Sequence, residues 1–445
     1  MDFATRKTYF NRCKPDEPLW PSDDRNVDLD QLGTVHVRGV NWTERLASWV
    51  ELSDEPVCVL FTGLPGSGKS TELRRLAARL SDPDRACLLP VVIDAEQVLD
   101  LSNEVDIPEI IAALLHQAEV SVLKEEGRDA SDALRDGYLN RLWSWLTRTD
   151  VTLTQAEYSI PNGPSLVAEM KTRPTLRERV RQTIAAHLTT FLREARDELS
   201  LLKGRAVARG HAGLVVIFDS LEKLRGISSN WEQVLASAER VFGAGAPYLR
   251  LPVHVLYTIP PALLNRCKGV EFMPMIKLAE RDGTPFAPGV GAAREIIRRR
   301  IPDEILAELL GTKCERRLEE VIRWSGGYPR EVVRLLQSVI AVRKSPVTDE
   351  DLDRIFAEVR DAYRKIVPAE AFDWLAQVAE THYLTIQNDG HRQAADLMIQ
   401  NSAVLRYLNG GDWFDLHPAV REIPGVEEAR RALASQRAVA TPGGG

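Results

Sequence analysis

The sequence predicts an α/β protein. A five-stranded parallel sheet carries a long helical insertion and is followed by a small helical bundle and a winged-helix-like unit. Three observations carry this. A glycine-rich turn lies between an apolar run and a helix-prone run. Five short apolar, β-branched runs alternate with helical patterns. Near the C-terminus, three helical patterns lead into a hairpin.

The turn is Gly63-Leu64-Pro65-Gly66-Ser67-Gly68-Lys69-Ser70, which fits G-x-x-x-x-G-K-[ST]. The run Val57 to Phe61 precedes it, and Thr71-Glu72-Leu73-Arg74-Arg75-Leu76 follows. Glycines let backbone N–H groups turn inward around phosphate oxygens, and the helix that opens there adds a favourable dipole. Phosphate binding is expected from Gly63, Pro65, Gly66, Ser67, Gly68, Lys69, Ser70 and Thr71, with Lys69 on the β/γ-phosphates and Ser70 on Mg²⁺. The sheet is thus expected to be that of a P-loop NTPase.

Strands are expected at 57–62, 88–93, 214–219, 252–258 and 272–278. Between the second and third, residues 100–210 read mainly as helix: Ile107 to Lys124 and Leu134 to Leu146 as amphipathic helices, Leu176 to Leu202 as one long helix, with polar breaks near 126–131 and 148–164. Periodicity leaves open whether this insertion is a partner-binding arm or a cover for the nucleotide. The chain therefore divides into an N-terminal segment (1–50), a core (51–291), a helical bundle (292–346), a winged-helix-like unit (347–435) and a disordered tail (436–445). In the winged unit, helices near 349–365, 368–380 and 391–401 precede Val404 to Leu416, a hairpin with Asn409-Gly410 at its turn.

Val215-Val216-Ile217-Phe218-Asp219 is an apolar strand ending in an acid, and Asp219 is expected to hold Mg²⁺ with Ser70. Many ATPases place Glu directly after this Asp to polarise water; here Ser220 stands there. The next acid, Glu222, has two readings, a water-positioning carboxylate or a surface ion-pair partner. Thr258 ends the fourth strand, where it either senses the γ-phosphate or satisfies a loop. In Ser325-Gly326-Gly327-Tyr328-Pro329-Arg330, Tyr328 and Pro329 are expected beside the base and Arg330 on the phosphates. Arg294, Arg298, Arg299 and Arg300 read as a solvated basic face, Arg266 as an arginine-finger candidate, and His417 as structural.

Composition sets the remaining bounds. With 445 residues, 44% hydrophobic and 27% charged, the chain is an ordinary multi-domain globular protein. No run is apolar enough to span a bilayer, the N-terminus lacks a signal-peptide pattern, and the five cysteines are scattered, so cytoplasmic residence is expected, with no membrane partner. A net charge of −7 argues against nucleic-acid binding through the whole surface but leaves room for a local patch.

Together these motifs resemble the AAA+/STAND division of P-loop ATPases over roughly residues 35–100 and 212–430. Asp219-Ser220-Leu221-Glu222 is closer to the STAND form than to the Asp-Glu of AAA+ motors, and Val37-Arg38-Gly39 is similar to the adenine-side linker of such proteins. The resemblance implies ATP/ADP and Mg²⁺ as ligands and 292–346 as a lid. It also implies slow ATP hydrolysis that controls self-association or an unidentified protein effector, in bacterial signalling or antiphage defence. No N-K-x-D motif for guanine is present. Two alternatives stand beside it: a DNA-binding initiator-like ATPase, disfavoured because the candidate recognition helix (His391 to Gln400) carries one Arg and an Asp, and a P-loop kinase, for which no acceptor pocket is legible.

Overall fold

The computed structural model describes residues 1–33, 35–129, 167, 170–224, 226 and 229–440, the last four as backbone only. The expected helix Leu134–Leu146, the whole break at 148–164 and the tail residues 441–445 lie outside these. Packing divides the chain into two bodies: residues 43–62 with 73–272, and residues 1–42 with 63–72 and 273–445.

The first body holds the sheet. Its strands are β1 (Cys58–Gly63, whose last residue packs with the other body), β2 (Leu88–Asp94), β3 (Gly213–Asp219), β4 (His254–Thr258) and β5 (Val270–Met273), in the order β2-β3-β4-β1-β5. The β1–β4, β3–β4 and β2–β3 pairings are parallel, with Phe61 opposite Thr258 and Asp94 opposite Asp219. Every residue of β3 is buried, as an unbroken apolar run at a sheet centre requires. From β1 the chain crosses to β2 at one edge, whereas from β4 it passes to β5 on the far side of β1. Neighbouring strands that diverge in this way leave a ligand crevice outside their carboxyl ends.

Helix α1 (Trp42–Glu51) precedes β1 and α2 (Lys69–Leu80) follows it. Of the insertion, α3 (Ile107–Glu125), α4 (Pro174–Ala186) and α5 (Leu188–Val207) share one hydrophobic core with β2 and β3, so the described part is structural cover and not a projecting arm. The expected long helix is two. His187 leaves helical geometry (φ −130°, ψ 26°), yet the buried stripe Val180, Ile184, Phe191, Ala195, Leu199 continues through the break in phase. Helix α3 is buried on nearly every face, Glu109 and Glu119 included, instead of being amphipathic.

The fifth strand ends at Met273, earlier than expected. The apolar run continues to Leu278 because its backbone changes partners in the second body: Met275 N–H donates to Arg406 O (2.9 Å), Ile276 N–H to Gly327 O (3.1 Å) and Lys277 N–H to Val37 O (3.0 Å). That body also holds a helical bundle, α7 (Ala287–Arg298), α8 (Asp303–Leu310), α9 (Cys314–Trp324) and α10 (Pro329–Ala341), counting Trp231–Glu239 of the first body as α6. The winged unit follows as expected: α11 (Asp349–Arg364), α12 (Phe372–Thr381), α13 (Asp389–Gln400), then β6 (Val404–Leu408) antiparallel to β7 (Asp412–Leu416). A capping box between Thr348 and Asp351 opens α11, and Tyr407 stacks on Trp413 across the hairpin at 4.5 Å between ring centroids. Helix α14 (Pro424–Ala440) carries residues 436–440 expected in the tail, so that stretch is helical. Among the described residues no helix is long and apolar enough to cross a membrane.

Candidate functional site

The loop after β1 adopts the turn its glycines allow. Gly66 (φ +84°) and Gly68 (φ +96°) occupy left-handed backbone conformations that any side chain strains. Ser67 N–H closes the turn onto Leu64 O (3.0 Å), and α2 begins at Lys69. Lys69 is 2% exposed, and its ammonium donates to the loop's own carbonyls, Gly63 O at 2.9 Å and Leu64 O at 3.1 Å. The Ser67 hydroxyl is buried without a hydrogen-bond partner among the described residues. A buried orphan hydroxyl is unfavourable, and a phosphate oxygen in the loop would satisfy it.

Three segments of the same body grip this loop. From the helical bundle, Tyr328 O–H donates to Pro65 O and Arg330 N–H to Gly66 O (3.3 Å). Proline at the first position of α10 fixes this helix start. Gly66 is also kept small by Arg330: a Cβ there would lie 2.6 Å from Arg330 Nε and 2.7 Å from its Cβ. From the N-terminal segment, Asp16 pairs with Arg330 Nε at 3.0 Å, and Leu19 N–H donates to the Thr71 hydroxyl at 3.3 Å. From the linker, the buried Arg38 guanidinium donates to Ser67 O (2.7 Å) and to Glu72 Oε1 (3.1 Å).

These contacts relocate three expected residues. Tyr328, expected beside a base, is buried, with its hydroxyl on the phosphate loop and its ring edge-on to His417; burial pushes its phenol above the usual range. Arg38 lies against the phosphate loop as well. Arg330 reaches the loop through its backbone, while its guanidinium faces Asp16. Pro329 stands at the start of α10.

At the other motif, Asp219 ends β3 and accepts from Ser220 N–H through Oδ1 at 2.7 Å. Ser220 is left-handed (φ 66°, ψ 4°) and turns the chain into a short 3₁₀ turn, Leu221–Lys223. Thr258, 1% exposed, accepts from Leu221 N–H at 2.9 Å and donates to Phe218 O at 3.3 Å, so its hydroxyl ties β4 to the turn after β3. Glu222 is 4% exposed and does not lie at the surface as an exposed ion-pair partner would, whereas its neighbour Lys223 pairs with Glu96. Ser70 carries a hydroxyl in the one body and Asp219 a carboxylate in the other, and each is a hard oxygen donor of the kind Mg²⁺ takes.

The remaining candidates make contacts within the chain. Arg266 is bound by Glu239 at 2.7 Å. Arg294, Arg298 and Arg299 pair with Glu315, Asp303 and Glu295. Arg300, expected on the solvated face, is instead 8% exposed and donates to Ile296 O at 2.9 Å. His417 is fully buried, stacks on Tyr363 at 4.5 Å and accepts from Ala419 N–H at 3.2 Å; burial lowers its pKa to about 3. Among the described residues no cluster of three or more His, Cys, Asp or Glu side chains is placed to hold a metal. Sequence reasoning missed Asp16, Leu19 and Glu72. Only Glu72 carried a signal, its position two residues after Ser70.

No family model and no curated protein matches the chain. Among solved structures it is similar to the Aeropyrum pernix ORC2 protein in ADPNP–ADP complexes (TM-score 0.36, 13% identity, 95% of this chain and 98% of that one). It is similar to the same degree to CDC6P from Pyrobaculum aerophilum (TM-score 0.36, 11% identity, with the same shares of each chain). A TM-score of 0.36 is too low for either to carry an assignment.

Proposed function

We propose that the chain is an ATP-binding P-loop ATPase of the AAA+ kind, with a winged unit coupled to the nucleotide through its lid. The loop Gly63–Ser70 carries this reading: two left-handed glycines, a buried lysine at its base and an orphan buried hydroxyl. Ser70 and Asp219 would hold Mg²⁺, which supplies charge neutralisation at the phosphates. Lys69 would exchange its two loop carbonyls for phosphate oxygens, and Glu222 is the candidate to orient water. Ser220, standing where many ATPases have Glu, supports slow, partner-controlled turnover.

For the partner, DNA is better supported than a signalling effector, because one objection to it weakens. Asp396, counted against the recognition helix, is 6% exposed and does not reach solvent, while the exposed first turn of α13 presents Arg392 and Gln393 beside Asp389. The STAND-type switch rests on the pattern Asp219-Ser220-Leu221-Glu222 and the linker-like Val37-Arg38-Gly39.

The test is Mg²⁺-dependent ATP hydrolysis by the full chain and by Lys69→Ala and Asp219→Ala, with molar mass recorded in ADP and in a non-hydrolysable ATP analogue. Hydrolysis lost in both variants supports the ATPase; transfer of phosphate to an acceptor other than water would replace it with a kinase. Duplex binding that falls steeply with salt and weakens in Arg392→Ala supports DNA as partner, and assembly on the ATP analogue without DNA binding supports the switch.

A further inference from the structure

We infer that Arg38 is a positioning residue of the phosphate loop, working as a pair with Glu72, and not a contact for the base. The inference rests on the nucleotide reading above. A loop that turns its N–H groups toward phosphate must turn carbonyls away, and a carbonyl turned into the protein needs a donor. Ser67 is fully buried, and Arg38 Nη2 supplies that donor at 2.7 Å. The other arm, Nη1, reaches Glu72 Oε1 at 3.1 Å in the first turn of α2. One planar fork therefore fixes the loop's middle and the start of its helix relative to each other.

Both side chains are 3% exposed, so the pair is desolvated and losing either partner removes a buried charge-assisted contact. Arg38 is itself held. Its carbonyl accepts from Trp42 Nε1 at 3.2 Å, and its Nη1 lies 3.5 Å from Met273 Sδ. A Cβ at Gly68 would approach Nη2 to 3.1 Å, which places the guanidinium directly against the loop's last glycine. A lysine at position 38 keeps the charge but has no rigid fork to span both acceptors.

The test uses the full chain with Mg²⁺ and three probes: ATP, GTP and inorganic tripolyphosphate. Affinities are measured for the wild type, Arg38→Lys and Glu72→Gln, each well below its own unfolding midpoint. Arg38→Lys should lose about ten- to a hundredfold in affinity, and by the same factor for all three probes. The ATP-to-GTP ratio should not move. Glu72→Gln, which keeps the guanidinium, should lose several-fold, again without base preference, and carries the test if Arg38→Lys does not fold. Unchanged tripolyphosphate binding in the variants, or a shift in the ATP-to-GTP ratio, would overturn the inference while leaving the nucleotide reading intact. A wild-type chain that binds none of the probes would sink that reading and this inference with it.

Discussion

The phosphate loop takes its shape from residues distant in sequence, whereas the end of β3 takes its shape from the next few residues and one neighbouring strand. Pro65, Gly66, Ser67 and Thr71 are bound by Tyr328, Arg330, Arg38 and Leu19, from three separate stretches. Asp219 is bound by the N–H of the next residue, and the turn after it by Thr258 across a strand pairing. The loop's contacts are therefore spread over stretches remote in sequence. The Asp219 turn is set once the sheet forms.

The largest effect tests the loop as a binding site. Lys69→Ala should reduce ATP affinity by about a hundredfold or more, given two charge-assisted hydrogen bonds of about 1.5–3 kcal/mol each. Titration calorimetry reads it, and affinity within threefold of wild type would remove the loop from the site. Gly66→Ala comes next. Strain at φ +84° and the clash with Arg330 should together cost about 2–3 kcal/mol in urea unfolding. Gly410→Ala, with positive φ but no neighbour within 4 Å, should show the strain alone, about 1 kcal/mol. Equal costs would mean that Arg330 does not crowd the loop.

Thr258→Val probes the other region. It orphans the buried Leu221 N–H at about 1–3 kcal/mol. Hydrolysis should fall while ATP affinity stays within twofold; a loss of affinity instead would mean that the two regions are not independently built.

Asp30 gives a pH-dependent test on the loop side. Burial first, and the charge of Glu72 second, push its carboxyl up to about 6, against relief from Arg38 and His36 and a further small push from Asp28. Its folded pKa lies above the unfolded value, so ionised Asp30 opposes folding above about pH 6, and the penalty fades as pH falls toward 4. Asp30→Asn should therefore add about 1–2 kcal/mol of stability at pH 7.5 and nothing at pH 4. A gain of the same size at both pH values would assign the effect to packing. Smallest of all, Tyr328→Phe should cost about 1 kcal/mol through the lost Pro65 bond. The same loss in Lys69→Ala and wild-type backgrounds would show that the lid grips the loop whatever Lys69 is doing.

Much of the fold was legible because it follows from local pattern. The loop has fixed residues at fixed spacing, β3 is an unbroken apolar run, and the hairpin carries Asn409-Gly410 at its turn. What escaped depends on partners far along the chain. Residues 274–278 look like strand because Met275 and Ile276 are buried, but their hydrogen bonds go to Arg406 and Gly327. The break at His187 is invisible because the apolar stripe crosses it in phase. Within the candidate site, the motif residues were readable from chemistry, while the grip on the loop was not. Nothing in the neighbourhood of Asp16 distinguishes it from any exposed acid, and a single Arg at 38 does not announce which buried carbonyl it serves.

The contact between Gly66 and Arg330 bears on how this chain can vary among its descendants. A glycine in a phosphate loop is usually taken as a mark of the ligand, but here a side chain at 66 meets the lid before any ligand is considered. Gly66 and Arg330 should therefore drift as a couple. Lineages that shorten or lose Arg330 would meet only the backbone strain of about 1 kcal/mol with alanine at 66, and those that keep it would meet the clash as well.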